Sequence, residues 1–196
     1  LTAGHGTAGR EGLTALFLGA GVGRVVDVRR FPGSRRNADV GSEAMAGWLA
    51  AAGVDYVWEP RLGGRRRLPK GPDVDPDADA WWRVEAFRAY AAHTRSEEFA
   101  QGLRAVLSAP PPQRAARQAT LLMCSESVWW RCHRRLISDV LTLVHGTQVL
   151  HLAHDGRTSV HEPSEARWLS TATFAIRPAV DRLRSGCMSY LRRWKR

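Results

Sequence analysis

The stretch that decides the fold covers residues 121–135 and reads Leu-Leu-Met-Cys-Ser-Glu-Ser-Val-Trp-Trp-Arg-Cys-His-Arg-Arg. The apolar run up to Met123 predicts a buried strand, and the spacing from Val128 onward predicts a helix. In an open α/β sheet, ligands bind at the carboxyl ends of the strands. Because Cys124 and Glu126 lie where the strand turns into the helix, we expect this turn to be the centre of an active site.

The same strand-to-helix pattern repeats along the chain. After a first strand near the amino-terminal residues, strands are predicted over 24–28, 54–58, 120–123 and 149–152, with helices over 11–18, 42–52, 81–93 and from residue 96. This alternation predicts an α/β fold with a mostly parallel open sheet of about five strands and helices on both faces, a Rossmann-like three-layer arrangement. We expect residues 1–157 to form the catalytic domain and residues 158–196 to form a basic extension docked on it.

The charge balance is strongly basic. Lys and Arg number 29 against 19 Asp and Glu, which gives a net charge of +10 and a pI of about 10.8. A basic surface favours a polyanionic partner, and DNA is the first candidate. Since Lys70 and Lys195 are the only lysines, a GC-rich genome explains the choice of Arg over Lys, but it does not explain the excess of base over acid.

Cysteines are few: Cys124, Cys132 and Cys187. They do not form a disulfide framework, which favours a reduced, cytoplasmic protein. No apolar run reaches the roughly 18 residues that a membrane-spanning helix requires, so no membrane contact is expected. Cys132 lies on the apolar stripe of the predicted helix and is expected to be an inert buried thiol. As neighbours on a helix, Cys132 and His133 would point about 100° apart, so no metal and no cofactor are predicted.

Polar side chains follow the predicted ends of successive strands. In a parallel sheet these ends meet at one edge, which predicts a cleft that contains carboxylates, a histidine and several arginines. The candidate catalytic residues are Asp27, Glu126 and His5. The candidate residues for binding substrate or nucleic acid are Gly4, Gly6, Thr7, Arg29, Arg35, Arg36, Tyr56, Arg61, Gly63, Gly64, Arg65, Cys124, Trp130, Arg131 and Arg134.

Several of these residues have two interpretations. Asp27 lies in a buried strand, where a carboxylate is costly unless it is paired, so it forms an ion pair with Arg29, borders the cleft, or does both. Glu126 either compensates a helix dipole or acts as a general base. Cys124 is a possible nucleophile, because a strand-to-helix turn lowers the pKa of a thiol. The arginine-flanked pair Gly63 and Gly64 suits either a phosphate contact or a solvated turn.

Five separated motifs resemble, in order, the family called domain of unknown function 488. The motifs are Gly4-His5-Gly6, Val26-Asp27-Val28-Arg29 with Pro32 and Ser34, Arg61-Leu62-Gly63-Gly64-Arg65, Phe87-Arg88-Ala89-Tyr90, and Met123-Cys124-Ser125-Glu126 with Trp130-Arg131-Cys132-His133-Arg134. The resemblance spans roughly residues 1–155. It implies an α/β domain with a polar cleft, and it associates the chain with the removal of modified pyrimidines such as 5-hydroxymethyluracil from DNA.

The first functional hypothesis is therefore a monofunctional DNA glycosylase. Arginines would hold the DNA backbone, a flipped base would stack on Trp130 or Tyr56, and Asp27 or Glu126 would stabilise the developing positive charge on the sugar. No lysine lies near the cleft motifs, which disfavours a Schiff-base lyase step. The alternatives are a nucleotide or phosphoester hydrolase, which would need a metal, and a non-catalytic nucleic-acid-binding module.

Overall fold

A computed structural model describes residues 1–34, 37–71, 79–112 and 118–165 of the chain. Its strands are β1 (Thr2–Gly4), β2 (Val22–Asp27), β3 (Asp55–Trp58), β4 (Ala119–Cys124), β5 (Leu150–Leu152) and β6 (Thr158–Val160). Its helices are α1 (Arg10–Gly19), α2 (Ser42–Ala51), α3 (Glu85–Thr94), α4 (Glu97–Ser108) and α5 (Arg134–Leu143). Short 3-10 turns cover Ala38–Val40, Pro60–Leu62 and Trp129–Arg131.

The six strands form one sheet in the order β3-β2-β4-β1-β5-β6. The first five strands in this order run parallel, and β6 pairs antiparallel with β5 at one edge. The predicted mostly parallel α/β sheet is therefore confirmed, with one strand more than expected. Strand β4 enters the sheet between β1 and β2, so the ends of these three strands are neighbours.

Two separate apolar cores cover the two faces of the sheet. Side chains alternate between faces along a strand, so Leu121 and Met123 of β4 pack with α1 and α2, whereas Leu122 and Cys124 pack with α3, α4 and α5. A central parallel strand that is buried on both faces needs a continuous apolar run, which explains the composition of β4. The three-layer arrangement is confirmed, and the Cys124 side chain lies on the α3–α5 side.

The carboxyl ends of β1, β2 and β4 are in register. Gly4 pairs with Cys124, and Asp27 pairs with Met123. The pairing continues one residue further, because His5 N donates to the Cys124 carbonyl at 2.9 Å and Val28 N donates to the Met123 carbonyl at 2.9 Å. The loops that leave these strands are therefore held side by side at one edge of the sheet.

The segment after β4 differs from the prediction. The helix begins at Arg134 rather than at Val128, and a loop with a single 3-10 turn precedes it. Two contacts stabilise this loop: the Glu126 side chain accepts a hydrogen bond from Val128 N at 3.2 Å, and the Arg134 guanidinium donates to the Glu126 carbonyl. These contacts satisfy backbone groups that would otherwise belong to a first helical turn.

The sheet extends beyond the domain boundary that was predicted after residue 157. Strand β6 follows β5 through a tight turn in which Gly156 has a φ of 82°, and Leu152 pairs with Thr158. The boundary therefore falls inside a hairpin, and residues 158–160 belong to the sheet. Residues 161–165 of the predicted extension are also described, and residues 166–196 lie outside the described residues. No helix in the described ranges is long and apolar enough to cross a membrane.

Candidate functional site

A cleft of about 410 Å³ opens at the carboxyl ends of β1, β2 and β4. This is the edge at which open α/β sheets bind ligands. The loops after these strands, the turn after β3 and the start of α3 all contribute to its wall. Its lining residues are His5, Arg29, Arg30, Phe31, Gly33, Ser34, Gly64, Arg65, Val84, Ala86, Phe87, Tyr90, Cys124, Ser125, Glu126, Arg131, Cys132 and His133.

Asp27 does not line this cleft. Its carboxylate has no exposed surface and accepts hydrogen bonds from Arg29 Nε at 2.8 Å and from the Tyr56 hydroxyl at 2.7 Å. The ion-pair interpretation is thus confirmed, while the prediction of Asp27 as a cleft carboxylate is wrong, because donors from Arg29 and Tyr56 enclose it. Burial, followed by the charge of Asp27, raises the pKa of Tyr56, and Tyr56 does not line the cleft.

His5 and Arg29 form the floor of the cleft. His5 Nδ1 lies 2.9 Å from the Gly6 carbonyl, so it carries the proton, and Nε2 accepts from Arg29 Nη1 at 3.3 Å. Burial, with the charge of Arg29, lowers the pKa of His5, which favours a neutral ring. Both side chains are more than nine-tenths buried, so His5 orients Arg29. Thr7 is exposed and does not line the cleft.

Glu126 is exposed and lies in the loop after β4. The prediction that it occupies a first helical turn is wrong, because α5 begins eight residues later, at Arg134. Among the described residues, it is the only carboxylate that lines the cleft. Its position depends on Gly4, where an added Cβ would come within 1.8 Å of the Glu126 carbonyl oxygen. Gly4 and Gly6 therefore allow the loop to pass close to β1. Neither glycine lines the cleft.

Two thiols and an imidazole meet in the wall of the cleft. His133 Nδ1 lies 3.8 Å from Cys124 Sγ and 3.6 Å from Cys132 Sγ, and all three atoms lie within 4.8 Å of one another. Cys132 is buried, as predicted. The angular argument against convergence is wrong, because Cys132 precedes the helix with extended backbone angles of φ −117° and ψ 150°.

The two thiols differ in acidity. A hydrogen bond from Cys132, assisted by His133 and Arg134, lowers the pKa of Cys124 well below its usual value against the effect of burial. The same hydrogen bond, together with burial, raises the pKa of Cys132. The pair therefore favours a thiolate on Cys124 and a proton on Cys132.

Arg134 is an interior residue, which corrects its prediction as a ligand contact. It is 1% exposed, and its guanidinium donates to Cys132 Sγ at 3.4 Å, to Thr2 Oγ1 at 3.3 Å and to the Glu126 carbonyl. Because it stands at the start of α5, the long side chain reaches back to β1. It thereby joins the helix, the loop and the sheet around the thiol pair.

The arginine-rich turn after β3 only partly reaches the cleft. Arg61 forms an ion pair with Glu59 at 2.6 Å and does not line the cleft, and Gly63 packs against the backbone of Arg30. Gly64 faces His133, and Arg65 is exposed at the rim with a φ of 55°. The turn therefore contributes one cation, Arg65, to the rim of the cleft, and its backbone at Gly64 passes close to the His133 ring.

Three exposed arginines and one aromatic ring form the rim: Arg30, Arg65, Arg131 and Phe31. Phe31 is 64% exposed. It was not among the residues predicted from the sequence, although a lone aromatic residue inside an arginine-rich loop indicates a possible contact with a ligand. Trp130 is 55% exposed but does not line the cleft. Arg35 and Arg36 lie outside the described residues.

A larger cavity of about 640 Å³ lies along β3. Its charged groups are already paired, because Arg24 contacts Asp55 at 3.3 Å and Glu59 contacts Arg61. It contains no thiol and no imidazole. The smaller cleft therefore has the stronger chemical case for an active site.

The model of the family named domain of unknown function DUF488 matches residues 11–141. The match begins in α1 and ends within α5, so it includes the loop from Cys124 to Arg134. The chain belongs to this family, as the resemblance predicted. No curated protein and no solved structure matches the chain.

Proposed function

We propose that this DUF488 protein is a DNA glycosylase that hydrolyses the N-glycosidic bond of a modified pyrimidine, such as 5-hydroxymethyluracil. One observation carries the proposal: among the described residues, Glu126 is the single carboxylate that lines a basic cleft of about 410 Å³, and it is exposed. A cleft of this size fits the range for small ligands, which begins at about 300 Å³. The two free thiols of the cleft suit a reducing compartment such as the cytoplasm.

Glu126 supplies the charge that bond cleavage requires. As the bond to the base breaks, positive charge develops on the sugar, and a carboxylate beside it stabilises the transition state. The same carboxylate positions water as a general base. Arg131, which is exposed and lines the same cleft, is available to the leaving pyrimidine, which departs with negative charge.

The rim is suited to a flipped nucleotide. Arg30 and Arg65 are exposed cations that would contact phosphates on either side of the target, and such contacts make affinity salt-dependent. The exposed Phe31 ring would fill the space that the extruded base leaves in the stack, as apolar wedges do. The expected stacking of the flipped base on Trp130 or Tyr56 is not retained in this proposal, because neither of those residues lines the cleft.

Base release would occur without strand cleavage. A lyase step needs an amine that forms a Schiff base with the sugar. No lysine is among the described residues that line the cleft. The expected product is an abasic site that breaks only after alkali treatment.

The test is release of free base from a duplex that carries a single 5-hydroxymethyluracil, with alkali-labile breaks as a second readout. Glu126→Gln should lower the rate by roughly two to four orders of magnitude, as loss of a general base does, while DNA affinity is retained. Glu43→Gln is the matched control, because Glu43 is an exposed glutamate that does not line the cleft.

Phe31→Ala gives a second, independent readout. It should slow release from a fully paired duplex more than release from a mismatched one, since a mismatched base costs less to extrude. No release from modified or mispaired pyrimidines would refute the glycosylase. Tight binding with no release, unchanged in Glu126→Gln, would instead identify a non-catalytic module.

A further inference from the structure

The convergence of Cys124, Cys132 and His133 has a geometry of its own. In a tetrahedral zinc site the Zn–S bond is about 2.3 Å and the Zn–N bond about 2.0–2.1 Å. From these bond lengths, a sulfur and a nitrogen ligand lie roughly 3.6 Å apart. The observed distances from His133 Nδ1 to the two sulfurs are 3.6 and 3.8 Å, so both sulfurs already stand at coordination spacing from the imidazole nitrogen, and all three atoms lie within 4.8 Å of one another.

The surrounding hydrogen bonds orient these atoms as ligands. His133 Nε2 donates to the Val28 carbonyl at 3.1 Å, so in the neutral ring Nδ1 presents its lone pair to the sulfurs. A metal-binding histidine almost always donates its other N–H to a carboxylate, a backbone carbonyl or water. Arg134 Nε donates to Cys132 Sγ at 3.4 Å, which would stabilise that sulfur as a thiolate once a metal ion displaces its proton.

Gly64 keeps space beside the imidazole. A Cβ at this position would stand 2.8 Å from His133 Nδ1, closer than a side chain tolerates. The glycine thus leaves the ligand nitrogen uncovered, and Tyr90, whose ring centre is 5.0 Å from that of His133, supports the imidazole from the helix side.

The cluster has three protein ligands rather than four. No other His, Cys, Asp or Glu atom joins it within the part of the chain that the structure describes. All three residues line the cleft, so a fourth position would face the substrate. Three protein ligands with an open fourth position distinguish catalytic zinc sites from structural ones.

We infer that Cys124, Cys132 and His133 bind one zinc-class metal ion, with the fourth coordination position open to the cleft. The donor set of two thiolates and one imidazole suits zinc better than magnesium or calcium, which prefer oxygen ligands. The inference concerns metal binding and does not depend on the reaction proposed above.

The first test measures metal content in the full-length protein, purified under reducing conditions. One equivalent of zinc per chain is expected, by elemental analysis and by release to a colorimetric chelator. Cys124→Ser, Cys132→Ser and His133→Gln should each lose it. His145→Gln is the matched control and should retain it, because His145 is a described histidine outside the cluster.

A spectroscopic test separates loss of a ligand from loss of the fold. Cobalt-substituted wild-type protein should show sulfur-to-cobalt charge transfer and the visible bands of a tetrahedral site. Addition of cyanide should shift these bands if the fourth position is open. Gly64→Ala should retain its circular dichroism but weaken cobalt binding at least tenfold, because the added methyl crowds His133 Nδ1.

Three outcomes would overturn the inference. The first is the absence of zinc after loading, together with two free thiols that form a Cys124–Cys132 disulfide on mild oxidation. The second is metal retained in all three ligand variants. The third is a cobalt spectrum that cyanide leaves unchanged, which would exclude the open position. Each readout is independent of base release, so the metal site and the glycosylase can fail separately.

Discussion

At Asp27, a carboxylate with no exposed surface is held by one guanidinium and one phenol. Breaking a buried pair by removing one charge leaves the other uncompensated and typically costs about 3–5 kcal/mol. We expect Asp27→Asn to lower the free energy of unfolding by an amount in this range. Urea unfolding followed by circular dichroism measures it.

Asp55→Asn is the matched control for that prediction. Asp55 lies on the neighbouring strand and also pairs with an arginine, Arg24, but its side chain is 56% exposed. Exposed pairs contribute about 0–1 kcal/mol, so this variant should unfold near the wild-type midpoint. Equal losses in the two variants would contradict the structural role assigned to Asp27.

Individual residues were predictable from the sequence where a local rule applied. A carboxylate inside an apolar strand needs a partner, and Arg29 provides it. The burial of Arg134 was not predictable, because its partners, Thr2 and the Glu126 carbonyl, are distant in sequence or depend on the path of a loop. The convergence of Cys132 with His133 was missed for the same reason.

At the scale of elements, the loop from Cys124 to Arg134 depends on its close approach to β1. A Cβ at Gly4 would stand 1.8 Å from the Glu126 carbonyl oxygen and 2.8 Å from Ser127 N. Because both are backbone atoms, no side-chain rotation relieves the clash. We expect Gly4→Ala to displace the loop and to lower the melting temperature, as thermal unfolding would measure, and to abolish the proposed base release in the duplex assay.

Gly12→Ala controls for the loss of a glycine. Gly12 lies in α1, where an added Cβ meets nothing within 4 Å. Replacing a helical glycine with alanine stabilises by roughly 0.5–1 kcal/mol, so this variant should melt at or above the wild-type temperature. If Gly4→Ala had the same melting temperature as Gly12→Ala, the loop would not depend on its close approach to β1 at Gly4.

The helices and strands were predicted well where a glycine or an apolar run marks the bounds of the element. Gly53 ends α2 close to the predicted residue, and β2 and β4 follow from their apolar runs. The start of α5 was predicted six residues too early. The periodicity from Val128 continues through the loop, and the contacts that interrupt the helix are made by Glu126 and Arg134, which no periodic pattern reveals.

For the whole molecule, the sequence predicted the class of fold and the edge of the sheet that carries the site. Both follow from the alternation of strands and helices. The position of β4 between β1 and β2 was not predictable, because pairing between distant strands leaves no local pattern. That position brings Cys124 beside His5 and Arg29, so the composition of the cleft depends on it.

The acid sensitivity of the whole fold should be set in part by His151. Its ring stacks on Trp129 at 4.1 Å between centroids and contacts Thr2 Oγ1 at 2.7 Å and His161 Nδ1 at 2.9 Å. Burial first, then the charges of His161, Arg134 and the amino terminus, lower the pKa of His151 to about 3. The folded ring is therefore neutral at pH values where the unfolded chain, near pKa 6.5, already binds a proton.

Unfolding then takes up a proton, so stability falls as the pH decreases from about 6.5 towards 3 and is unaffected above that window. We expect the contribution of His151 to the melting temperature to be constant above about pH 7 and to decline below about pH 6.5. Carboxylates also titrate at the acid end, so the melting temperatures of the wild-type protein are compared with those of His151→Gln. This variant should have a lower melting temperature at neutral pH, and its melting temperature should fall less steeply as the pH decreases. Parallel melting curves for the two proteins between about pH 6.5 and pH 4 would show that another group carries the acid sensitivity.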